Sequence, residues 1–404
     1  MHLARAAFAA SLPSSRTRPA FALPVGRIRA AFAAALAFGL AAPAAAQDTQ
    51  RVKTERAEVV VETVARGLSN PWGLAFLPDR RMLVTERPGR LRVVSAGGDL
   101  SQPLSCIGVD IAARGQGGLL DVAVDPNFAQ NRFVYLSLAE DRGEGRSATT
   151  VVRARLNEGA TALEGSRAIF RQDPAHTTGN HFGSRLVFGR DGHLYITTGD
   201  RFTLREQAQN PANHIGKILR VTTEGRPALG NPFLDREGAR PEIWSIGHRN
   251  LQSAALNPAT GELWTVEHGA RGGDEVNIPQ PGKNYGWPVI SYGVDYSGAK
   301  IGEGTAKAGL EQPVHYWDPS IAPSGMAFYT GDKFPAWRGS LLVGALAGRH
   351  VARLSLDGTK VTGEERMLAG LGERIRDVRE GPDGFVYLLT DASNGRILRL
   401  KPAS

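Results

Sequence analysis

Six segments of this chain repeat one pattern: a strand of alternating apolar residues, a turn built from Pro, Asp, Asn or Gly, and a second strand. They span 74–86, 122–138, 186–200, 254–269, 326–346 and 378–391. Alternation on both sides of such a turn specifies a β-hairpin, because side chains in a strand repeat every two residues. Further short strands follow at 89–94, 149–156, 216–221, 349–354 and 395–400. A hairpin plus a following strand, recurring with loop insertions and without any amphipathic helical period, is the pattern of propeller blades. A β-sandwich is the alternative, but unrelated hairpins would not share one turn offset. The expected fold is all-β: a six-bladed propeller of four-stranded antiparallel blades around a central channel, formed by residues 47–404 as one domain. A site in such a fold belongs at the channel mouth, where loops far apart in sequence converge.

The first 46 residues read differently. Arg27 and Arg29 precede an apolar run from Ala30 to Ala42, which ends in Pro43-Ala44-Ala45-Ala46. A basic start, a short apolar stretch and an Ala-x-Ala exit predict a secretory signal peptide over 1–46, and so export to the periplasm. No adjacent Arg pair precedes the run, which favours export of the unfolded chain. The run is too short to span a bilayer, and no later segment is long and apolar enough. Removing the five arginines of 1–46 lowers the formal charge from +8 to +3, so no basic footprint for nucleic acid remains. Cys106 is the one cysteine, so an internal disulfide is excluded and stability must come from packing.

The stretch from Gly247 to Pro288 does not read as core. It holds Arg249-Asn250, Glu267-His268-Gly269, Gly272-Gly273-Asp274-Glu275 and Asn284-Tyr285-Gly286-Trp287-Pro288. It runs through the fourth hairpin into a long excursion over 270–320. Elsewhere, His181 sits at the lip of the third hairpin and Asp200 ends it, a spacing that suits a general base and the carboxylate that fixes its tautomer; a solvated or capping His is the competing reading. Arg249 beside Asn250 offers a permanent cation for a developing oxyanion, or a structural contact to blade carbonyls. Gln116 lies in a Gly-rich loop, RGQGGLLD, that permits close backbone approach to a ligand or simply makes a tight turn. Arg374 and Arg376 alternate on a strand and so share a face, as an anion clamp or a solvated edge. Glu267, Asp274 and Glu275 among glycines supply hard oxygen ligands that suit calcium, without the spacing of an EF-hand. Zinc-ligand spacing, a P-loop and a dinucleotide fingerprint are absent.

The stretches GQGGLLD (115–121), HFGSRLVF (181–188), GHRNLQ (247–252), EHGARGGDEVNIPQPGKNYGWP (267–288), IAPSGMAFY (321–329) and RIRDVREGPDG (374–384) together resemble the glucose/sorbosone dehydrogenase family over nearly the whole mature chain. The resemblance implies a six-bladed propeller that binds pyrroloquinoline quinone (PQQ) and calcium and oxidises aldoses at the anomeric carbon to lactones. It implies His181 as general base, Asp200 as its orienting acid and Arg249 beside the reacting quinone oxygen. Gln116, Asn250, Arg374 and Arg376 match cofactor contacts, and His268 is expected to line the cofactor pocket. The backbone carbonyls of Gly269 and Ala270 match ligands of the calcium that polarises the quinone. Glu275 and the carbonyl of Tyr285 match a second, structural calcium site. An aldose and a separate electron acceptor are the implied partners, with the protein a monomer or dimer.

Two positions depart from the family. Members usually carry a Lys in the loop written here GALAGRH (344–350), where this chain has Ala347 with Arg349 two residues on: either Arg349 reaches the same carboxylate or the cofactor is held less tightly. Asn180 stands where the glucose enzyme has an acid, which implies a different sugar contact. Two further readings follow from the fold: a calcium-dependent sugar-lactone hydrolase, and a propeller that binds a glycan or partner without catalysis.

Overall fold

A computed structural model describes residues 49–105 and 107–403; the export signal read over 1–46 and the lone Cys106 lie outside them. Six antiparallel sheets follow one another along the chain, and each is a blade. The first contains Pro71–Phe76, Met82–Glu86 and Arg90–Val94. Its outer edge is covered by an irregular segment: the Ser101 and Leu104 N–H groups donate to the Val93 and Leu91 carbonyls, both at 2.8 Å. Blades two to five have four strands each. Their first two strands are Leu119–Val124 with Phe133–Asp141, Gly183–Phe188 with Leu194–Thr198, Leu251–Leu256 with Leu263–Glu267, and Pro323–Phe328 with Leu341–Ala345. All six expected hairpins are therefore present at their expected positions.

The sixth blade closes the ring. Its inner strands, Ile375–Glu380, Val386–Thr390 and Gly395–Pro402, come from the C-terminal end. Glu58–Leu68 from the N-terminal end pairs with Gly395–Pro402, and Thr49–Lys53 adds a fifth strand outside it. Reading one hairpin at a time did not reveal this closure, since the pairing joins residues more than 330 positions apart, such as Val61 and Leu400. The glycine-and-charge stretch also hides a strand: Asp274–Asn277 pairs with both Leu263–Glu267 and His315–Trp317.

The core lies between blades rather than within them. Leu83 and Leu91 meet Leu119 and Val134 between blades one and two, Tyr135 and Val151 meet Leu186 and Ile196 between two and three, and Ile218 meets Leu251 and Leu263 between three and four. Trp264 meets Met326 and Val343 between four and five, Trp337 meets Val378 and Leu388 between five and six, and Leu389 meets Leu74 and Val84 across the closure. Both faces of each middle strand are thus buried, which is why sequences such as LYITT and LWTVE are buried at every position. Among the described residues no helix is long and apolar enough to cross a membrane.

In every blade the pairing of the two innermost strands shifts register at the same end, between Pro71 and Leu74, Leu119 and Val122, Gly183 and Leu186, Leu251 and Ser253, Pro323 and Met326, and Ile375 and Asp377. An irregularity of this kind turns the side chain out of the ladder. The fold therefore presents six re-aimed segments around one end of the channel.

Candidate active site

Those six segments line one cavity. Trp72 and Arg87 come from blade one, Gln116 and Leu120 from two, Phe182 and Gly183 from three, Gln252 and His268 from four, Ala322 and Leu346 from five, and Arg374, Arg376 and Asp391 from six. One wall is apolar, where Trp72, Leu120 and Phe182 pack together. The other is cationic. Arg374 donates through Nη2 to Asp391 Oδ2 at 2.9 Å, and Arg376 reaches the same oxygen at 3.4 Å. Burial alone would raise the Asp391 pKa, but Arg376 and Arg374 outweigh it and hold the carboxyl below its ordinary value. Burial pushes Arg376 down to about 10, against the attraction of Asp391.

Behind Trp72 the channel is closed by charge. Arg185 is fully buried; it donates to Asp121 Oδ1 at 3.0 Å, lies 3.2 Å from Asp377 Oδ1, bonds the Gln252 carbonyl and stacks on Trp72 at 4.3 Å. Arg379 bridges Asp377 and Asp121. Two carboxylates facing two guanidinium groups neutralise each other, as buried charges must. Glycine is required alongside: a Cβ on Gly325 would lie 2.0 Å from Asp377 Oδ1.

A second cavity, lined by Asp200, Phe202, Arg249, Trp287 and Tyr296, opens beside the first. His181 relates to both. Its backbone N–H donates to Gln116 Oε1 at 2.8 Å, and its ring packs edge-on against Phe202 at 5.2 Å. Its φ of 52° is left-handed, a strained conformation held by those contacts. Nδ1 lies 2.6 Å from Asp200 Oδ1. Asp200 also accepts the Phe202 N–H at 2.7 Å and the Trp287 indole N–H at 2.8 Å. With both its oxygens accepting, the shared proton resides on Nδ1, and Nε2 keeps its lone pair. Burial pushes the imidazole pKa below its ordinary value, and Asp200 only partly offsets that. A ring held in this way suits the role of general base.

Arg249 is held from three sides. Its N–H donates to Glu267 Oε2 at 2.6 Å, its Nη1 to the His268 carbonyl at 3.0 Å, and its guanidinium lies over the Trp287 ring at 5.1 Å. Glu267 is itself fixed by His248, whose Nε2 meets Ser245 Oγ at 2.8 Å. The Arg249 Nε, Asn250 Nδ2 and Arg376 Nε atoms are buried with no partner in the protein. With Arg87 Nε, which is orphaned likewise, they make four such donors around one channel mouth and mark the place of an oxygen-rich ligand. His268 donates through Nε2 to the Pro323 carbonyl at 2.8 Å, and burial drives its pKa down to about 3, so it adds no charge.

A small pocket next to Arg249 gathers Glu267, Gly269, Gly273, Glu275, Tyr285 and Ser291. Glu275 stands opposite Glu267 in register, and burial together with the Glu267 charge pushes its pKa up to about 8. Two neighbouring buried carboxylates with backbone oxygens around them suit a hard cation. Among the described residues no cluster of three or more His, Cys, Asp or Glu side chains could hold a metal, so backbone carbonyls would have to supply much of the coordination.

The structure brings His181, Asp200, Gln116, Arg249, Asn250, His268, Arg374 and Arg376 to one end of the channel. Ala270 lines the second cavity, while Gly269, Glu275 and Tyr285 line the small pocket. Arg349 is different: it is exposed, donates to the Gly372 carbonyl at 3.3 Å and does not line the main cavity. Sequence reasoning missed Arg87, Arg201 and Asp391. A signal existed, since an acid lies at or just past the end of the second strand in blades one, three, four and six (Glu86, Asp200, Glu267, Asp391), and the next residue lines the main cavity in blades one and four (Arg87, His268).

Comparison with known proteins agrees with this geometry. The family profile described as Glucose / Sorbosone dehydrogenase matches residues 68–399. The chain is 50% identical over 349 residues to aldose sugar dehydrogenase YliI of Escherichia coli K12, covering 86% of this chain and 94% of that protein. It superposes on the apo-form crystal structure of the soluble E. coli aldose sugar dehydrogenase with a TM-score of 0.83 at 49% identity, covering 85% of this chain and 100% of that one. The PQQ-bound aldose sugar dehydrogenase of Streptomyces coelicolor gives a TM-score of 0.71 at 31% identity, over 88% of this chain and 99% of that one.

Proposed function

The chain belongs to the glucose/sorbosone dehydrogenase family, and from that premise we propose that it is a PQQ- and calcium-dependent aldose dehydrogenase. The observation that carries the reading is the pairing of a cationic, donor-rich cavity with a His181 that bonds the lining Gln116 through its backbone N–H and Asp200 through its ring. A flat tricarboxylate needs an apolar wall and convergent cations, and Trp72 with Phe182 and the Arg374–Arg376 pair offer both. The orphaned donors of Asn250, Arg249 and Arg376 are the groups that would hold its oxygens.

What the bound cofactor supplies there is an acceptor for the hydride from the sugar C1, with calcium as the Lewis acid that polarises it. The protein supplies the remainder. His181 Nε2 takes the proton of the C1 hydroxyl, and Asp200 stabilises the imidazolium that results. Arg249 offers a fixed positive charge where negative charge grows, without reorganisation at the moment of reaction. Phe202, Trp287 and Tyr296 give the second cavity an aromatic lining that suits the apolar face of a pyranose. Gly269 and Ala270 would hold calcium through their carbonyls, and Glu275 with the Tyr285 carbonyl would hold a second ion. The basic start, apolar run and Ala-x-Ala exit of residues 1–46 support action in the periplasm.

The test is reconstitution. Purified protein, given PQQ and calcium, is expected to reduce an artificial electron-accepting dye only when an aldose is present. Absence of sugar-dependent dye reduction, with no spectral change on adding the quinone, would overturn the reading. Hydrolysis of a sugar lactone by the quinone-free protein would instead support a hydrolase.

A further inference from the structure

Three guanidinium groups line the main cavity against one carboxylate, and they are not equivalent. Arg374 and Arg376 share Asp391. Arg87 makes no ion pair among the described residues: its Nη2 donates to the Gly115 carbonyl at 2.7 Å, and its Nε is buried without a partner. Arg201, which follows Asp200 in blade three, shows what a satisfied arginine looks like near this end of the channel. Its donors go to the carbonyls of Asn180, Ser147 and Thr178, and its guanidinium stacks on Phe182 at 3.9 Å. Asp391, already paired with Arg374 and Arg376, feels the Arg87 charge without an ion pair to it, so the third guanidinium leaves this wall with positive charge in excess, which suits a further anion.

We propose that Arg87 binds a carboxylate of the cofactor in this cavity, in the role that Arg349 would have taken had it reached the pocket. The proposal rests on the quinone reading above. Arg87 and the Arg374–Arg376 pair stand on the neighbouring first and sixth blades, so their charges add on one side of the cavity, and a polyanionic ligand is drawn to that side. Arg349 spends its guanidinium on the Gly372 carbonyl outside the lining.

The test measures quinone binding rather than turnover. PQQ is titrated into calcium-saturated protein and followed by quenching of tryptophan fluorescence, for which Trp72 in the cavity wall is a built-in reporter. Arg87→Gln is expected to weaken Kd by about 10- to 100-fold, the range for losing a charge-assisted hydrogen bond. The dependence of Kd on salt should become shallower, because one charged contact is gone. Arg87→Lys keeps the charge and loses the fork, so it should fall in between; it decides the matter if Arg87→Gln does not fold. Binding within twofold of the parent, a weaker Kd with unaltered salt dependence, or a loss that falls on Arg349→Gln instead would each overturn the assignment while leaving the quinone reading intact. A parent protein that binds no PQQ would overturn both.

Discussion

His181 and Asp200 flank the open end of one hairpin, where their side chains meet at 2.6 Å, and the indole of Trp287 from the next blade fixes the other oxygen of Asp200 at 2.8 Å. The hairpin brings base and orienter together, and the neighbouring blade locks the orienter. The proposed base and its orienter are therefore held by two blades.

Asp200→Asn should leave PQQ binding largely intact and lower kcat by about 10²- to 10⁴-fold, because the amide no longer dictates which imidazole nitrogen carries the proton. Dye-reduction kinetics alongside a quinone titration would check it. A loss confined to KM would contradict the orienting role.

The base must be neutral to act, so activity falls as pH drops through the His181 pKa. Burial places that pKa below the ordinary 6.5, so the acid limb of kcat/KM should lie below 6.5. In Asp200→Asn the carboxylate that raises it is gone, and the limb should move lower still. The unfolded chain binds this proton more readily, so the same group makes stability decline as pH falls from 6.5 towards the folded value. An acid limb above 6.5 in the parent enzyme would contradict a His181 whose pKa burial holds down.

Glu275 predicts a calcium-dependent stability. Calcium at about 100 times its Kd should add about 2.7 kcal/mol by mass action, read as a rise in Tm that a chelator reverses. Glu275→Gln should lose that increment while folding normally in calcium-free buffer, since burial and the Glu267 charge already raise the carboxyl pKa to about 8 and an amide then replaces a largely neutral group. The idea fails if Tm is the same with calcium and with chelator.

Gly325→Ala tests the charged closure of the channel. Its Cβ would sit 2.0 Å from the Asp377 carboxylate, which cannot retreat without disturbing Arg185 and Arg379. The expected cost is about 1–3 kcal/mol in urea unfolding. Ala at the solvent-facing Gly363, where a Cβ meets nothing within 4 Å, should cost much less. Equal costs would mean the closure yields easily.

Much of this was legible in the chain. The hairpins were readable because each carries its own turn and its own alternation, as in LVFGRDGHLYITTGD. The pairing of Val61 with Leu400 was not, since nothing local records it. His181 and Asp200 were found because they flank one hairpin. Arg87 was passed over because a single arginine after a strand resembles any surface cation, and only the cavity shows that it lacks a carboxylate. Arg349 shows the converse: proximity in sequence to an expected position did not place it in the cavity lining, and its exposed guanidinium bonds the Gly372 carbonyl instead.

The central claim is that His181 is the base of a sugar oxidation at this channel mouth, and one comparison tests it most directly: aldose-dependent dye reduction by PQQ-loaded, calcium-saturated His181→Ala against the parent. The account predicts that the variant binds the quinone with a Kd close to the parent's and loses kcat by at least about 10²-fold, the usual contribution of a positioned base. A variant that turns over sugar within tenfold of the parent would contradict it.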